Sequence, residues 1–73
     1  MHPDQIQELE RTLPPIIART AVHQLTGGLI STGRLANLDS LGQGPKRIRV
    51  GRKVAYLRSD FTAWLASRTS EAA

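Results

Sequence analysis

Six cations lie between positions 46 and 58 of this 73-residue chain, with no acid among them. They are Lys46, Arg47, Arg49, Arg52, Lys53 and Arg58. The remaining residues hold four cations and six acids, so a local +6 combines with −2 to give the net charge of +4. Lysine and arginine donate charge-assisted hydrogen bonds to phosphate oxygens. The cluster therefore predicts binding to a polyanion, with nucleic acid favoured and membrane phosphates as the other candidate.

A second group of residues has the chemistry to contact base edges. Its members are small or polar and lie close together: Ser31, Thr32, Gly33, Arg34 and Asn37. An asparagine amide pairs with adenine, a threonine methyl contacts thymine, and an arginine binds guanine or a phosphate. Asp39 is expected to face away from phosphates or to orient a cation. The alternative for Asn37 and the nearby Ser40 is ordinary exposed polarity.

The residues around this group predict two helices joined by a glycine-containing turn. Ala18, Ala21, Val22 and Leu25 share one helical face, which predicts a helix over 16–26 that ends at Gly27-Gly28. A following helix is expected from Ser31 to Leu41, with Leu35 and Leu38 buried and a hydroxyl at its N-cap. Gly42 and Gly44-Pro45 end it.

The period then changes from helical to alternating, which predicts a β-hairpin. The runs 47–50 and 54–57 alternate, and Gly51-Arg52-Lys53 separates them. We expect Arg47 and Arg49 to face water, and Arg52 and Lys53 to lie at the tip. The apolar residues of both strands are expected to face the body; these are Ile48, Val50, Val54 and Tyr56.

The two ends of the chain complete the predicted architecture. Ile6, Leu9 and Leu13 predict a short helix before Pro14-Pro15, either packed on the body or left as an arm. Ser59 is expected to cap a last helix, and residues 69–73 to form a flexible tail. The predicted core anchors are Leu35, Leu38, Tyr56, Phe61, Trp64 and Leu65. This order is that of a winged helix-turn-helix: mainly α with a small β-hairpin, over residues 16–68, preceded by an arm or short helix over 1–13.

Composition excludes several other classes. The chain has no cysteine and two histidines, so disulfides, thiolate metal sites and a His/Cys zinc cluster are excluded. No apolar run approaches the roughly 18 residues of a membrane span, and no signal peptide is apparent. We expect a cytoplasmic, non-enzymatic protein without a cofactor, because no phosphate-binding lysine loop or nucleophile–base pair is present. An RNA-binding sheet is disfavoured because Tyr56 is the only aromatic residue in the predicted strands.

Five segments in this order resemble one family of small DNA-binding domains. The segments are Leu25–Gly28, Arg34–Leu38, Gly42–Pro45, Gly51–Tyr56 and Ser59–Leu65. They are similar to the excisionase-type domains, which include the recombination directionality factors and the AlpA-like prophage regulators and are related to the MerR winged-helix group. The resemblance covers roughly residues 16–68.

This resemblance implies a bacterial, nucleoid-associated protein that binds double-stranded DNA near an attachment site. It implies cooperative binding by neighbouring head-to-tail copies, DNA bending, and a tyrosine integrase as a further partner that is directed toward excision. The alternative is a prophage or mobile-element transcriptional regulator. By position, Thr32, Arg34 and Asn37 lie on the recognition helix of the family, and Arg49, Arg52 and Lys53 on its wing. Many relatives have Trp and Arg in place of Leu38 and Asp39, so the base preference does not transfer.

Overall fold

The computed structural model describes residues 3–68 of the chain, with only the backbone of residues 3 and 4. This part of the chain is mainly helical, with four α-helices and a three-stranded antiparallel sheet of order β1-β3-β2. The elements are α1 (Pro3–Thr12), β1 (Ile16–Ala18), a 3₁₀ turn (Arg19–Ala21), α2 (Val22–Leu25), α3 (Thr32–Ser40), β2 (Ile48–Val50), β3 (Lys53–Leu57) and α4 (Arg58–Arg68).

The predicted helix over 16–26 is wrong, because residues 16–18 form a strand and residues 19–21 form a 3₁₀ turn. β1 pairs with β3, with Ile17 opposite Tyr56, and Ile17 is fully buried. Ile16 and Ile17 are β-branched, and such residues favour a strand. Pairing with β3 buries Ile17, whereas the predicted helical face did not include it. Only the end of the predicted helix is helical, and there Val22 is buried.

Helix α3 follows the prediction closely. The hydroxyl of Ser31 accepts a hydrogen bond of 3.1 Å from the backbone N–H of Arg34, so Ser31 is the N-cap. Leu35 and Leu38 are buried. Gly42, with φ at +71°, takes the left-handed conformation directly after the helix, which glycine adopts without strain.

The hairpin forms, but its faces differ from the prediction. Gly51 and Arg52 make a two-residue turn, with Gly51 at φ +63°, in place of the expected three residues. Val54 consequently lies opposite Arg49, and Ile48 lies opposite Ala55. Directly paired residues share a face, so Ile48 and Val50 lie on the opposite side of the sheet from Val54 and Tyr56. The prediction that all four face the body is wrong, and Val50 is 64% exposed.

The core lies between the inner side of the sheet and the helices. Five of the expected anchors, Leu35, Leu38, Tyr56, Phe61 and Leu65, are buried, and Trp64 is half-buried. The Trp64 ring lies 5.9 Å from that of Phe61, and its Nε1–H donates to the Gln43 carbonyl at 2.8 Å.

The N-terminal helix packs against α4 and is not a detached arm. Leu9 contacts the core and Leu13 is part of it, so the core begins before residue 16. The buried hydroxyl of Thr62 donates to the Glu10 carboxylate at 2.7 Å. The predicted tail over 69–73 lies outside the described residues.

The last helix begins at Arg58, two residues earlier than a cap at Ser59 predicts. Arg58 follows β3 without a loop, and its backbone N–H donates to the Pro15 carbonyl at 2.9 Å. Its guanidinium donates to the Leu13 carbonyl at 3.1 Å. Ser59 therefore lies inside the first turn and is not the cap.

Replacing either of two glycines, Gly33 and Gly44, by alanine should change the stability of the protein in opposite directions. A Cβ on Gly44 would lie 3.1 Å from Cγ and 3.4 Å from Cα of buried Asp39, whereas a Cβ on helical Gly33 meets nothing within 4 Å. We expect Gly44→Ala to lower the free energy of unfolding by about 1–3 kcal/mol through overpacking. Gly33→Ala should raise it by about 0.5–1 kcal/mol. Urea unfolding measures both, and a Gly44→Ala variant as stable as the parent would contradict this packing.

Candidate nucleic-acid interface

The exposed face of α3 is small and polar. Gly33, Asn37 and Ser40 are exposed on the side away from Leu35, and Ala36 is half-buried beside them. The Ser40 hydroxyl donates to the backbone carbonyl of Asn37 at 2.7 Å. The side-chain amide of Asn37 has no hydrogen-bond partner among residues 5–68. Such a face allows a close approach to another surface and offers one amide for hydrogen bonding.

The two hydroxyls in the predicted base-contacting group both form hydrogen bonds within the fold. Ser31 caps α3, and the Thr32 hydroxyl donates to the Arg19 carbonyl at 3.3 Å, which joins α3 to the 3₁₀ turn. Arg34 lies on the flank of α3, is exposed, and forms no ion pair with the described residues. Of the predicted group, Ser31, Gly33, Arg34 and Asn37 are exposed and Thr32 is half-buried, and the hydroxyls of Ser31 and Thr32 are engaged within the fold.

Four of the six clustered cations are exposed, lie in the hairpin or just before it, and have no hydrogen-bond or ion-pair partner among the described residues. We call these the hairpin cations: Lys46, Arg49, Arg52 and Lys53. The structure places no acid in ion-pair contact with them anywhere in the described chain. Arg49 lies on the same sheet face as Val54 yet remains exposed, whereas the prediction placed it on the water-facing side.

The other two cations of the cluster are engaged with the backbone. Arg47 donates from Nη1 to the Asp39 carbonyl at 3.0 Å, and so ties the start of the hairpin to the end of α3. Arg58 lies on α4 and binds the Leu13 carbonyl. The +6 cluster thus consists of four exposed cations without a partner among the described residues and two arginines that donate to backbone carbonyls. Of these two, Arg47 is also exposed.

Asp39 connects α3 with the sheet from a buried position. Its side chain is 4% exposed, and its Oδ2 accepts from the Arg19 guanidinium at 3.0 Å and from the Tyr56 hydroxyl. Of the two alternatives for Asp39, the one in which it orients a cation is confirmed, because its carboxylate pairs with Arg19. Arg19 was not identified from the sequence as the partner of Asp39. The burial of Asp39 itself could have been predicted, because Asp39 lies four residues after Leu35 and therefore on the buried side of the helix.

The environment of Tyr56 strongly favours its protonated form. Burial raises the pKa of the Tyr56 hydroxyl well above its ordinary value, and the hydrogen bond to Asp39 and the charge of that carboxylate raise it further. Arg19 acts in the opposite direction but less strongly. The hydroxyl therefore stays a donor to Asp39 at neutral pH.

Two sequence comparisons with known proteins find no match. No protein-family model matches the chain, and no curated protein matches it significantly. No helix within residues 3–68 has the length and apolar character needed to cross a bilayer. The same residues contain no group of three or more His, Cys, Asp or Glu side chains placed to hold a metal ion.

The raised pKa of Tyr56 predicts a loss of stability at alkaline pH. The protonated form is favoured in the folded state, so this stability is complete below the unfolded pKa of about 10 and falls as pH rises above it. Tyr56 is the only tyrosine, so tyrosinate absorbance reports on it alone. We expect that absorbance to appear only as the protein unfolds.

Tyr56→Phe provides the matched control, because it removes the titrating hydroxyl and leaves every other titrating group in place. We expect it to lose about 1.5–3 kcal/mol at neutral pH, the value of a hydrogen bond to a charged group. It should also show a weaker decline in stability above pH 10. Free titration of Tyr56 near pH 10 in the folded protein would disprove the buried contact.

Proposed function

We propose that this protein is a winged helix-turn-helix protein that binds double-stranded DNA. In this proposal α2 and α3 form the helix-turn-helix, and the β2–β3 hairpin is the wing. The observation that carries it is the arrangement around α3: a capped helix with an accessible Gly33, Arg34 and Asn37, joined by Asp39 and Arg47 to a hairpin whose cations are exposed. The helical and antiparallel architecture supports the same assignment.

The proposed contacts divide into two kinds. Helix α3 has nine residues and is about 14 Å long, which fits the major groove of B-DNA. Asn37 pairs with adenine there, and Arg34 binds guanine or a flanking phosphate. The hairpin cations bind phosphates, and Arg52 at the tip has access to the minor groove. The helix thus supplies sequence preference and the hairpin supplies most of the affinity.

We further propose that the DNA-binding unit works as an excisionase. One short helix reads few base pairs, and a single module buries only about 600–1,000 Å² of surface on DNA. Neighbouring copies that touch head to tail would raise affinity by making later binding effectively intramolecular. Glu8 is exposed on α1 and is available for a cation of the next copy. Bound side by side, such copies bend attachment-site DNA and direct a tyrosine integrase toward excision.

Other parts of the proposal follow from this role. We assign no enzymatic activity to the protein, and we place it in the bacterial cytoplasm at the nucleoid. A transcriptional regulator of a prophage or mobile element would use the same contacts, so the arrangement of binding sites on DNA must separate the two functions.

The hairpin cations predict a specific dependence of DNA binding on salt. If four of them neutralise phosphates, log K should fall with log salt at a slope of roughly −3.6, or about −0.9 per contact. The double variant Arg52→Ala, Lys53→Ala should reduce this slope to roughly −1.8. Fluorescence anisotropy with a labelled duplex at several salt concentrations measures it.

Arg11→Ala is the charge-matched control, because Arg11 is an exposed cation on α1. It should change the slope far less than loss of a hairpin cation does. A parent slope near zero, or an equal effect of Arg11→Ala, would contradict phosphate binding by the hairpin.

A footprint on the DNA that flanks the gene of this protein separates the two functions. Cooperative assembly on one face of the duplex predicts protection that repeats at about 10-base-pair intervals. A single isolated site would instead support a simple regulator. Absence of protection at any concentration that binds DNA would contradict sequence-specific recognition.

The protected site then tests the role of Asn37. Asn37→Ala should weaken binding to it by about fivefold to 150-fold, the cost of a lost bidentate base contact, and leave binding to unrelated DNA unchanged. Gln7→Ala removes an exposed amide from α1 and should affect neither.

A further inference from the structure

An apolar groove lies beside α3 and shares only Arg34 with the surface described above. It has a volume of about 440 Å³ and is formed where α3, α4, the turn before α3 and the first residues of α1 meet. Its lining residues are Gln5, Leu29, Ile30, Arg34, Leu38, Trp64, Leu65 and Arg68. The exposed DNA-binding candidates Gly33 and Asn37 do not contribute to it.

The floor of the groove is rigid and apolar. Ile30, Leu38 and Leu65 are buried in the fold, and the Trp64 ring is fixed by its hydrogen bond to the Gln43 carbonyl. Leu29 stands at the edge, is 54% exposed, and has no role in the core cluster. A large apolar side chain exposed next to a preformed apolar groove is typical of a surface that receives a partner.

The charged side chains that line the groove among residues 5–68 are both positive. Arg34 lies at one side and Arg68 at the other, and no acidic side chain of residues 5–68 lines the groove. The Arg68 guanidinium lies 5.5 Å from the centre of the Trp64 ring, which holds it at the edge by a cation–π contact. Complementarity therefore requires an occupant with an apolar centre and carboxylates on both sides.

The helix α1 of a second copy does not meet this requirement. It is acidic, but its Leu9 already packs against the core of its own fold, and Leu13 directly after the helix is part of that core. Using them in another copy would require α1 to leave α4. Duplex DNA does not meet it either, because phosphates would satisfy the two arginines and leave the apolar floor uncovered.

We propose that this groove binds a short acidic, amphipathic segment of a partner protein. One or two apolar side chains of the segment enter between Leu29 and Trp64, and flanking Asp or Glu side chains pair with Arg34 and Arg68. The volume lies near the lower end of the 300–1,000 Å³ range of ligand sites, which suits a few side chains and not a whole helix surface. A segment bound here lies directly beside α3, so the protein can hold a partner next to the DNA that it binds.

An array of synthetic helical peptides tests the proposal with defined probes. Each carries two Leu or Phe residues one helical turn apart with Asp and Glu on either side, and each has a counterpart in which Asn and Gln replace the acids. Trp64 is the only tryptophan and lines the groove, so its fluorescence reports on occupancy in the full chain. We expect the acidic peptides to bind and their neutral counterparts to bind at least fivefold more weakly.

Variants on each side of the groove sharpen the test. Leu29→Asp removes an apolar contact and repels the acids, so it should weaken peptide binding at least tenfold. Arg68→Ala should weaken it about three- to fivefold, as expected for one exposed ion pair. Leu41→Asp is the matched control, since Leu41 is 60% exposed and lies outside the groove, and it should leave peptide binding unchanged.

Several outcomes would overturn the proposal. They are failure of every peptide in the array, equal binding of acidic and neutral peptides, and equal effects of Leu29→Asp and Leu41→Asp. A change of Trp64 fluorescence with protein concentration alone would identify a second copy as the occupant of the groove. Peptide binding seen only after removal of residues 69–73 would identify the chain's own end as the occupant.

If Arg68→Ala weakens DNA binding as strongly as Arg34→Ala, the rim belongs to the DNA interface. Peptide binding requires no DNA, so this proposal and the DNA-binding function fail separately.

Discussion

The buried carboxylate of Asp39 fixes the position of α3 relative to the rest of the molecule. It receives Arg19 from the 3₁₀ turn and Tyr56 from the central strand, while its own carbonyl receives Arg47 from the start of the hairpin. Burying a carboxylate costs several kcal/mol, and the paired guanidinium and the hydrogen bonds offset that cost only in one geometry. The short α3 therefore has a fixed orientation to the hairpin, which helix propensity alone would not provide.

The same interaction explains a constraint in the loop that follows. The second carboxylate oxygen of Asp39 is buried without a hydrogen-bond partner among the described residues, and Gly44 packs directly against this carboxylate. A side chain at position 44 would push the loop away from Asp39 and move both Gln43, which binds Trp64, and Arg47, which binds α3. The loop thus joins α3, α4 and the hairpin, and a small residue at Gly44 is a requirement of that junction.

Local patterns in the sequence were sufficient for the elements near the proposed site but not for their partners. The Ser31 cap, the buried Leu35 and the glycine after α3 are local signals, and each is found as expected. Strand β1 was missed because its stability comes from pairing with β3, which lies about 40 residues away. The faces of the hairpin were wrong because a turn of two residues in place of three changes the register by one, and such a change moves side chains to the opposite face. The division of the cations into accessible and structural members depends on contacts between distant residues, such as Arg58 with Leu13.

The corrected register gives the hairpin cations a second effect on the molecule. β2 is an edge strand, and the outer face of the sheet carries exposed Ile16, Val50 and Leu57. An apolar face beside an unpaired strand edge favours association between sheets of different copies. Arg49 within β2, together with Arg52 and Lys53 at the turn, opposes this association because two such hairpins would repel each other. A polyanion that neutralised these cations would remove the repulsion, so contact between hairpins would be least opposed on such a polyanion.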